Sequence, residues 1–248
     1  MPVIFFIFLL NKRYMKLPVF AGLCLITGSL AAQRSVDVTE GNVNALSTSF
    51  FNIVGGEPFV VKFTKLVEGS PYFSNEWLKG NVTLDGGKEF DGIPLRLDLY
   101  DNQVHYRNAN GVELIASPQI KKLSLFDTAA KQTFNFINGS SIAAKKSSEG
   151  WYQVLTNGKA SLFKKYEKRL IEDRPYGSAT VEQSIMTFSH YYILTNGEDL
   201  KEIKKFKDLP DLLNGKKEEV STYIKDKRLS GKKDDDYRDV VNYFNGLN

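Results

Sequence analysis

The chain has 248 residues, 33 Lys and Arg against 29 Asp and Glu, one cysteine and two histidines. A chain of this size can bury a core without covalent staples. One cysteine excludes an internal disulfide framework and a multi-thiolate metal site, and two histidines argue against a histidine-rich one.

The first element in chain order is an export leader. Met15-Lys16 supplies a positive start, residues 17–30 an apolar stretch, and Ala31-Ala32 a small-residue exit before Gln33. That order reads as a secretory signal, too short and wrongly flanked for a membrane span. Residues 1–32 are therefore expected to leave, with translation starting at Met15. The alternative is an unusually long leader from Met1, since residues 1–14 are also apolar and end in Asn11-Lys12-Arg13. Cys24 lies inside the apolar stretch and follows Leu23 rather than the small residue that bacterial lipidation requires. Cleavage leaves no thiol. It also removes Lys12, Arg13 and Lys16, so the net charge falls from +4 to +1. A general attraction to nucleic acid is not expected of such a chain.

Residues 33–58 form a polar segment with a short helix near 43–50, ending at Gly55-Gly56-Glu57-Pro58. A strand is expected at 59–66, opening an antiparallel β region over 59–136. Residues 81–85 end at Gly86-Gly87. Residues 93–100 alternate, with Ile93, Leu95, Leu97 and Leu99 on one face. Asp101-Asn102 turns the chain into 103–107. The stretch Asn108-Ala109-Asn110-Gly111 turns it again into 112–116, and a further strand follows at 120–126.

After a weak loop across 138–150, a second β region covers 151–205 with two resembling hairpins, turned at Asn157-Gly158 and Asn196-Gly197. Asn-Gly suits such turns because both residues can adopt positive φ. Two copies reflect hairpin physics rather than a repeat architecture. Residues 208–246 change character. Pro210 suits a first helical turn, and Val220, Tyr223 and Ile224 fall at helical spacing. Asp234-Asp235-Asp236 suits a helix N-terminus, followed by a stripe of Tyr237, Val240, Val241 and Phe244. The expected fold is mainly β, an antiparallel meander forming an open sheet or barrel-like structure. A C-terminal α-helical hairpin packs on it, for an α+β chain.

No catalytic signature stands out. The sequence has neither a Gly-x-Ser-x-Gly elbow nor a phosphate-binding loop. His105 and His190 each sit beside a tyrosine and read as packed or surface rings. No metal or other cofactor is implied. Asp91, Asp98, Asp101 and Glu113 are the residual carboxylates for acid–base chemistry of the glycosidase kind, although Asp is common at turns for backbone reasons. Residues 119–169 carry ten basic and three acidic groups. Within them, Lys159, Lys164, Lys165, Lys168 and Arg169 interleave with Phe163 and Tyr166. That is the candidate binding patch, suited in an exported protein to an anionic glycan or lipid surface; its alternative is a solvated strand face with Phe163 turned inward.

Three stretches resemble an uncharacterised family of exported Bacteroidota β-rich proteins: Gly69-Ser70-Pro71-Tyr72, then Trp77-Leu78-Lys79-Gly80-Asn81-Val82, then residues 94–100, Pro-Leu-Arg-Leu-Asp-Leu-Tyr. The ending 237–247, with Tyr243-Phe244-Asn245, is similar to that family's tail. The resemblance implies a bacterial envelope location and assigns no activity. The resulting expectation is an exported envelope protein, periplasmic, outer-membrane associated or extracellular, with no membrane span in the mature chain. It would act as a non-catalytic binding or interaction module, with an envelope protein or an anionic surface as partner. The alternative is an exported carboxylate-dependent hydrolase acting on a glycan.

Overall fold

A computed structural model describes residues 43–63, 65–117, 120–142, 149–174, 176–177, 179–197 and 199–247. The expected leader lies outside the described residues. Helix α1 (Val43–Val54) comes first, followed by strands β1 (Glu57–Pro58), β2 (Leu66–Glu68), β3 (Leu78–Leu84), β4 (Glu89–Asp98), β5 (Gln103–Arg107) and β6 (Glu113–Ile115). Then come β7 (Ile120–Asp127), β8 (Gln132–Asn138), β9 (Trp151–Thr156), β10 (Ala160–Asp173), β11 (Glu182–Thr195) and β12 (Lys201–Ile203). Helices α2 (Leu209–Leu212), α3 (Lys217–Asp226) and α4 (Asp234–Gly246) close the chain.

The strands form one open sheet in the order β1-β6-β5-β4-β3-β7-β8-β9-β10-β11-β12, with β2 also beside β11. Both expected β regions thus belong to a single mainly β layer. All pairings are antiparallel except that of β2 with β11. Among the described residues no helix is long and apolar enough to cross a membrane.

Alternation decides what each face holds. Leu95 and Leu97 of β4, Val104 and Tyr106 of β5, and Leu123 and Leu125 of β7 are all nearly inaccessible and share one core. Helix α1 closes that core with Phe50, whose ring meets Phe90 and Tyr106 edge-on at 5.2 and 4.9 Å. The Tyr106 hydroxyl donates to the Gly55 carbonyl at the helix end, 3.0 Å away. The acidic turn at 234–236 does start a helix, and Tyr237, Val240, Val241 and Phe244 are its buried stripe. They pack with Leu162, Ile193 and Ile203 of the sheet.

Two expectations are corrected. Residues 59–63 and 65 lie outside the ladder, so of the strand expected at 59–66 only Leu66, which opens β2, is paired. The second correction concerns Asn157-Gly158. Asn196 and Gly197 both have positive φ, 53° and 67°, as an Asn-Gly hairpin turn requires. Asn157 and Gly158 do not. Gly158 is instead where α4 approaches: a Cβ there would collide with the Asn245 amide. Asn245 accepts from Ala160 N at 2.8 Å and donates to Ala160 O at 2.9 Å, clasping the buried start of β10.

Asn245→Ala removes both bonds and leaves the Ala160 backbone unsatisfied in the core. The expected loss is about 2–4 kcal/mol, read as a lower urea midpoint. An unchanged midpoint would mean the clasp holds nothing.

Candidate functional site

The sheet face opposite the α1 core is polar between β4 and β6. Arg96 pairs with His105, and Arg107 with Glu113. Because successive side chains point to opposite faces, Arg96, Asp98, His105, Arg107 and Glu113 share the side that Leu95, Leu97 and Tyr106 leave. Glu113 Oε1 accepts from Arg96 Nη2 at 2.6 Å and lies 2.7 Å from His105 Nδ1. A carboxylate only accepts, so Nδ1 carries the proton. The His105 ring is wholly buried. His105 Nε2 and Arg96 Nε are buried with no hydrogen-bond partner among the described residues.

The chain between β1 and β3 lies over this face. Phe59 packs on the His105 ring at 5.0 Å, and Tyr72 at 5.7 Å. The Arg96 guanidinium sits 3.8 Å above the Tyr72 ring and 4.7 Å from Trp77, and its Nη2 donates to the Tyr72 hydroxyl at 3.2 Å. Arg107 lies 4.5 Å from the same Trp77 ring. Arginine is suited to this position because its plane stacks while its edge donates. The segment is anchored where Tyr72 bridges Asp98, with Phe73 N donating to Leu97 O and Leu99 N to Pro71 O.

One aromatic layer in front of His105 is a cleft of about 230 Å³. Phe59, Phe63 and Tyr72 wall it, and Asp98, Asp101 and Lys62 form its polar end. Asp98 is 3% exposed. Its Oδ1 accepts from the backbone N–H of Tyr100 and Asp101 at 2.8 and 2.9 Å. Burial raises its carboxyl above the ordinary value, against those two bonds, and the charge of Asp101 adds to the rise. Asp101 pairs with Lys62 at 2.5 Å.

Of the residual carboxylates, then, Asp98 and Asp101 share the cleft. Glu113 is committed to Arg96 and His105 behind it, and Asp91 does not line it. The sequence separates His105 and Glu113 by eight residues. The turn at 108–111 is the signal that makes them diagonal neighbours once the register is known.

The basic–aromatic cluster of β10 is divided by the strand. Lys164, Tyr166 and Lys168 point to one face, and Phe163, Lys165 and Arg169 to the other. Lys164 Nζ donates to both Asp234 oxygens at 2.9 and 3.0 Å, tying β10 to the start of α4. Tyr191 shares that carboxylate at 2.5 Å. Phe163 is buried against Tyr152. Tyr166 donates to Gln153, Lys168 to Thr187, Lys165 to the Glu149 carbonyl and Arg169 to Glu167. Lys159 donates to the carbonyl of Leu247. His190 lies between Glu167 at 3.0 Å and Glu202 at 3.1 Å. Among the described residues no group of three or more His, Asp or Glu side chains is placed to hold a metal ion.

Comparison with protein-family models, with curated proteins and with solved structures finds no match for this chain.

Two titrations of opposite sign follow. Burial works to raise the Asp234 carboxyl, but the bonds from Tyr191 and Lys164 outweigh it and hold the group below its ordinary 3.8. Its stabilisation is present above 3.8 and is lost as pH falls through the folded value. Asp98 is the reverse: its raised folded value gives stability below 3.8 that is lost as pH rises through that value. Urea midpoints between pH 3 and pH 6 should show Asp234→Asn with a shallower acid loss than wild type. Asp98→Asn should gain on wild type as pH rises.

Glu113→Ala should cost about 3–5 kcal/mol, because it strips the partner from a buried histidine and a largely buried arginine. A variant as stable as wild type would refute the cluster's structural role.

Proposed function

We propose that the protein is an exported, non-catalytic binding module of the cell envelope, and that the cleft walled by Phe59, Phe63 and Tyr72 receives its ligand. The leader-like order of charge, apolar stretch and small residues supports export. The cleft supports binding. Small-molecule sites are typically apolar and aromatic, with a few convergent polar groups. This one has three aromatic walls and a polar end of two acids and one lysine.

At about 230 Å³ the cleft accommodates one ring or side chain rather than an extended ligand. A neutral sugar ring offers the matching chemistry. Its apolar face stacks on an aromatic wall, and its hydroxyls donate to the Asp98 and Asp101 oxygens. The observation that carries the non-catalytic reading is that both acids already have structural work. Asp98 caps the 98–101 turn and Asp101 holds Lys62.

One observation favours the second reading, an exported glycan hydrolase. Asp98 and Asp101 share a cleft, and the raised Asp98 carboxyl is the direction a general acid needs.

Calorimetric titration of residues 33–248 with a panel of neutral oligosaccharides, with product analysis on the same samples, separates the two. Binding without new reducing ends, weakened at least tenfold by Phe63→Ala, is the expected result. New reducing ends that vanish in both Asp98→Asn and Asp101→Asn would assign the hydrolase. Absence of any binding would overturn both.

A further inference from the structure

Strand β11 is paired along its whole length with β10 on one side. On its other side it is paired only twice. Gln183 and Ser184 meet β2, and residues 191–193 meet β12. Among the described residues, residues 185–190 have no ladder partner on that side. We infer that this open edge is a binding site for an extended peptide strand, inserted between β2 and β12.

The gap has a definite cause at its β2 end. Gly69 follows β2 with φ of 80°, and a Cβ there would collide with the Ile185 carbonyl. The chain therefore turns away from β11 at Ile185, and that side of residues 185–190 is left open. Their sequence is Ile-Met-Thr-Phe-Ser-His, with no lysine, acid or proline. Sheet edges are ordinarily blunted by charge, proline or short length, because bare N–H and C=O groups template another strand. The other edges here are blunted. β1 is Glu57-Pro58, and β12 is three residues long with Lys201 and Glu202. Met186, Thr187 and Ser189 are exposed.

The surroundings select the occupant. A groove lined by Gly69, Ile171, Ile185, Met186 and Thr187 runs beside the edge at the β2 end. Ile171 and Met186, 43% and 49% exposed, lie on one face of the hairpin. At the β12 end the same face carries His190 with Glu202 beside it, and Glu202 is 40% exposed. The matching strand has apolar residues at alternating positions and a basic residue at its β12 end. Six residues span roughly 20 Å.

A second copy of β11 does not fit. In an edge-to-edge dimer its own β2 and β12 would occupy the same line that β11 must take. An isolated extended segment does fit, by β-strand addition.

The test uses residues 33–248 and a set of acetylated, amidated hexapeptides with Val, Ile or Phe at alternating positions, Thr between them and Lys at one end. Among residues 185–190, alternate amides already bond β10; amide hydrogen exchange by NMR should show the others, which face the open edge, slowed at least tenfold on addition of a binding member. Affinity should fall at least tenfold in Met186→Lys, and likewise when alternate peptide amides are N-methylated, which keeps the side chains and removes the donors. Slow exchange of those edge-facing amides before any peptide is added would mean that the edge is already filled, and would overturn the inference. So would equal binding of the N-methylated peptide, or no protection by any member at millimolar concentration. Protection confined to residues 59–63 would place peptide capture in the cleft and also overturn it, while leaving the cleft reading intact.

Discussion

The register of β4, β5 and β6 is the constraint on which the rest depends. Pairing Leu95 with Tyr106 and Arg96 with His105 sends an apolar set to one face and a charged set to the other. A slip of one residue would exchange the two sets. The apolar set receives Phe50 from α1, and the charged set receives Phe59, Tyr72 and Trp77. One pattern of backbone hydrogen bonds thus builds the core and the floor of the cleft together. Glu113 keeps the charged face tolerable by serving Arg96 and His105 with one oxygen.

At the far end of the sheet, charge does a different task. Lys164 looks in the sequence like part of a basic surface, yet it is directed at Asp234 beneath the stacked rings of Tyr191 and Tyr237, which lie 3.9 Å apart. The acidic first turn of α4 serves two purposes. Asp234 is the anchor on β10, and Asp236 accepts from the backbone of Gly231 and Lys232, fixing the approach to the helix. With the Asn245 clasp at the other end, α4 is fastened to the sheet at both termini.

Much of this was legible in the sequence where the signal was local. Alternation marks β4, β5 and β7, and the 237–244 stripe marks α4. Residues 59–66 misled because alternating apolar residues also suit a segment that lays Phe59 and Phe63 onto another surface without joining a ladder. Residues 167–173 and 182–190 fall inside the second expected β region, but their alternation is mostly of polar residues on a half-solvated hairpin and does not mark where the strands end. Asn157-Gly158 misled because a glycine needed for close approach reads the same as one needed for positive φ. Of the site, the sequence singles out Asp98, Asp101, His105 and Glu113 but not the aromatic walls Phe59, Phe63 and Tyr72 or the assembly. Tyr72, Arg96, His105 and Glu113 meet only through register and through a chain segment crossing from elsewhere.

That crossing segment has a consequence for how the molecule forms. Glu57 pairs with Ile115 and Leu66 with Gln183, so the short stretch between α1 and β3 is held by partners far along the chain. Closing such large loops carries a high entropic cost until most neighbouring hairpins exist. The Leu66 side of the cleft therefore belongs to the last part of the sheet to assemble. A chain whose β11 had not yet arrived would hold the Tyr72 wall against β4 while the Leu66 side of the cleft still lacked its partner strand.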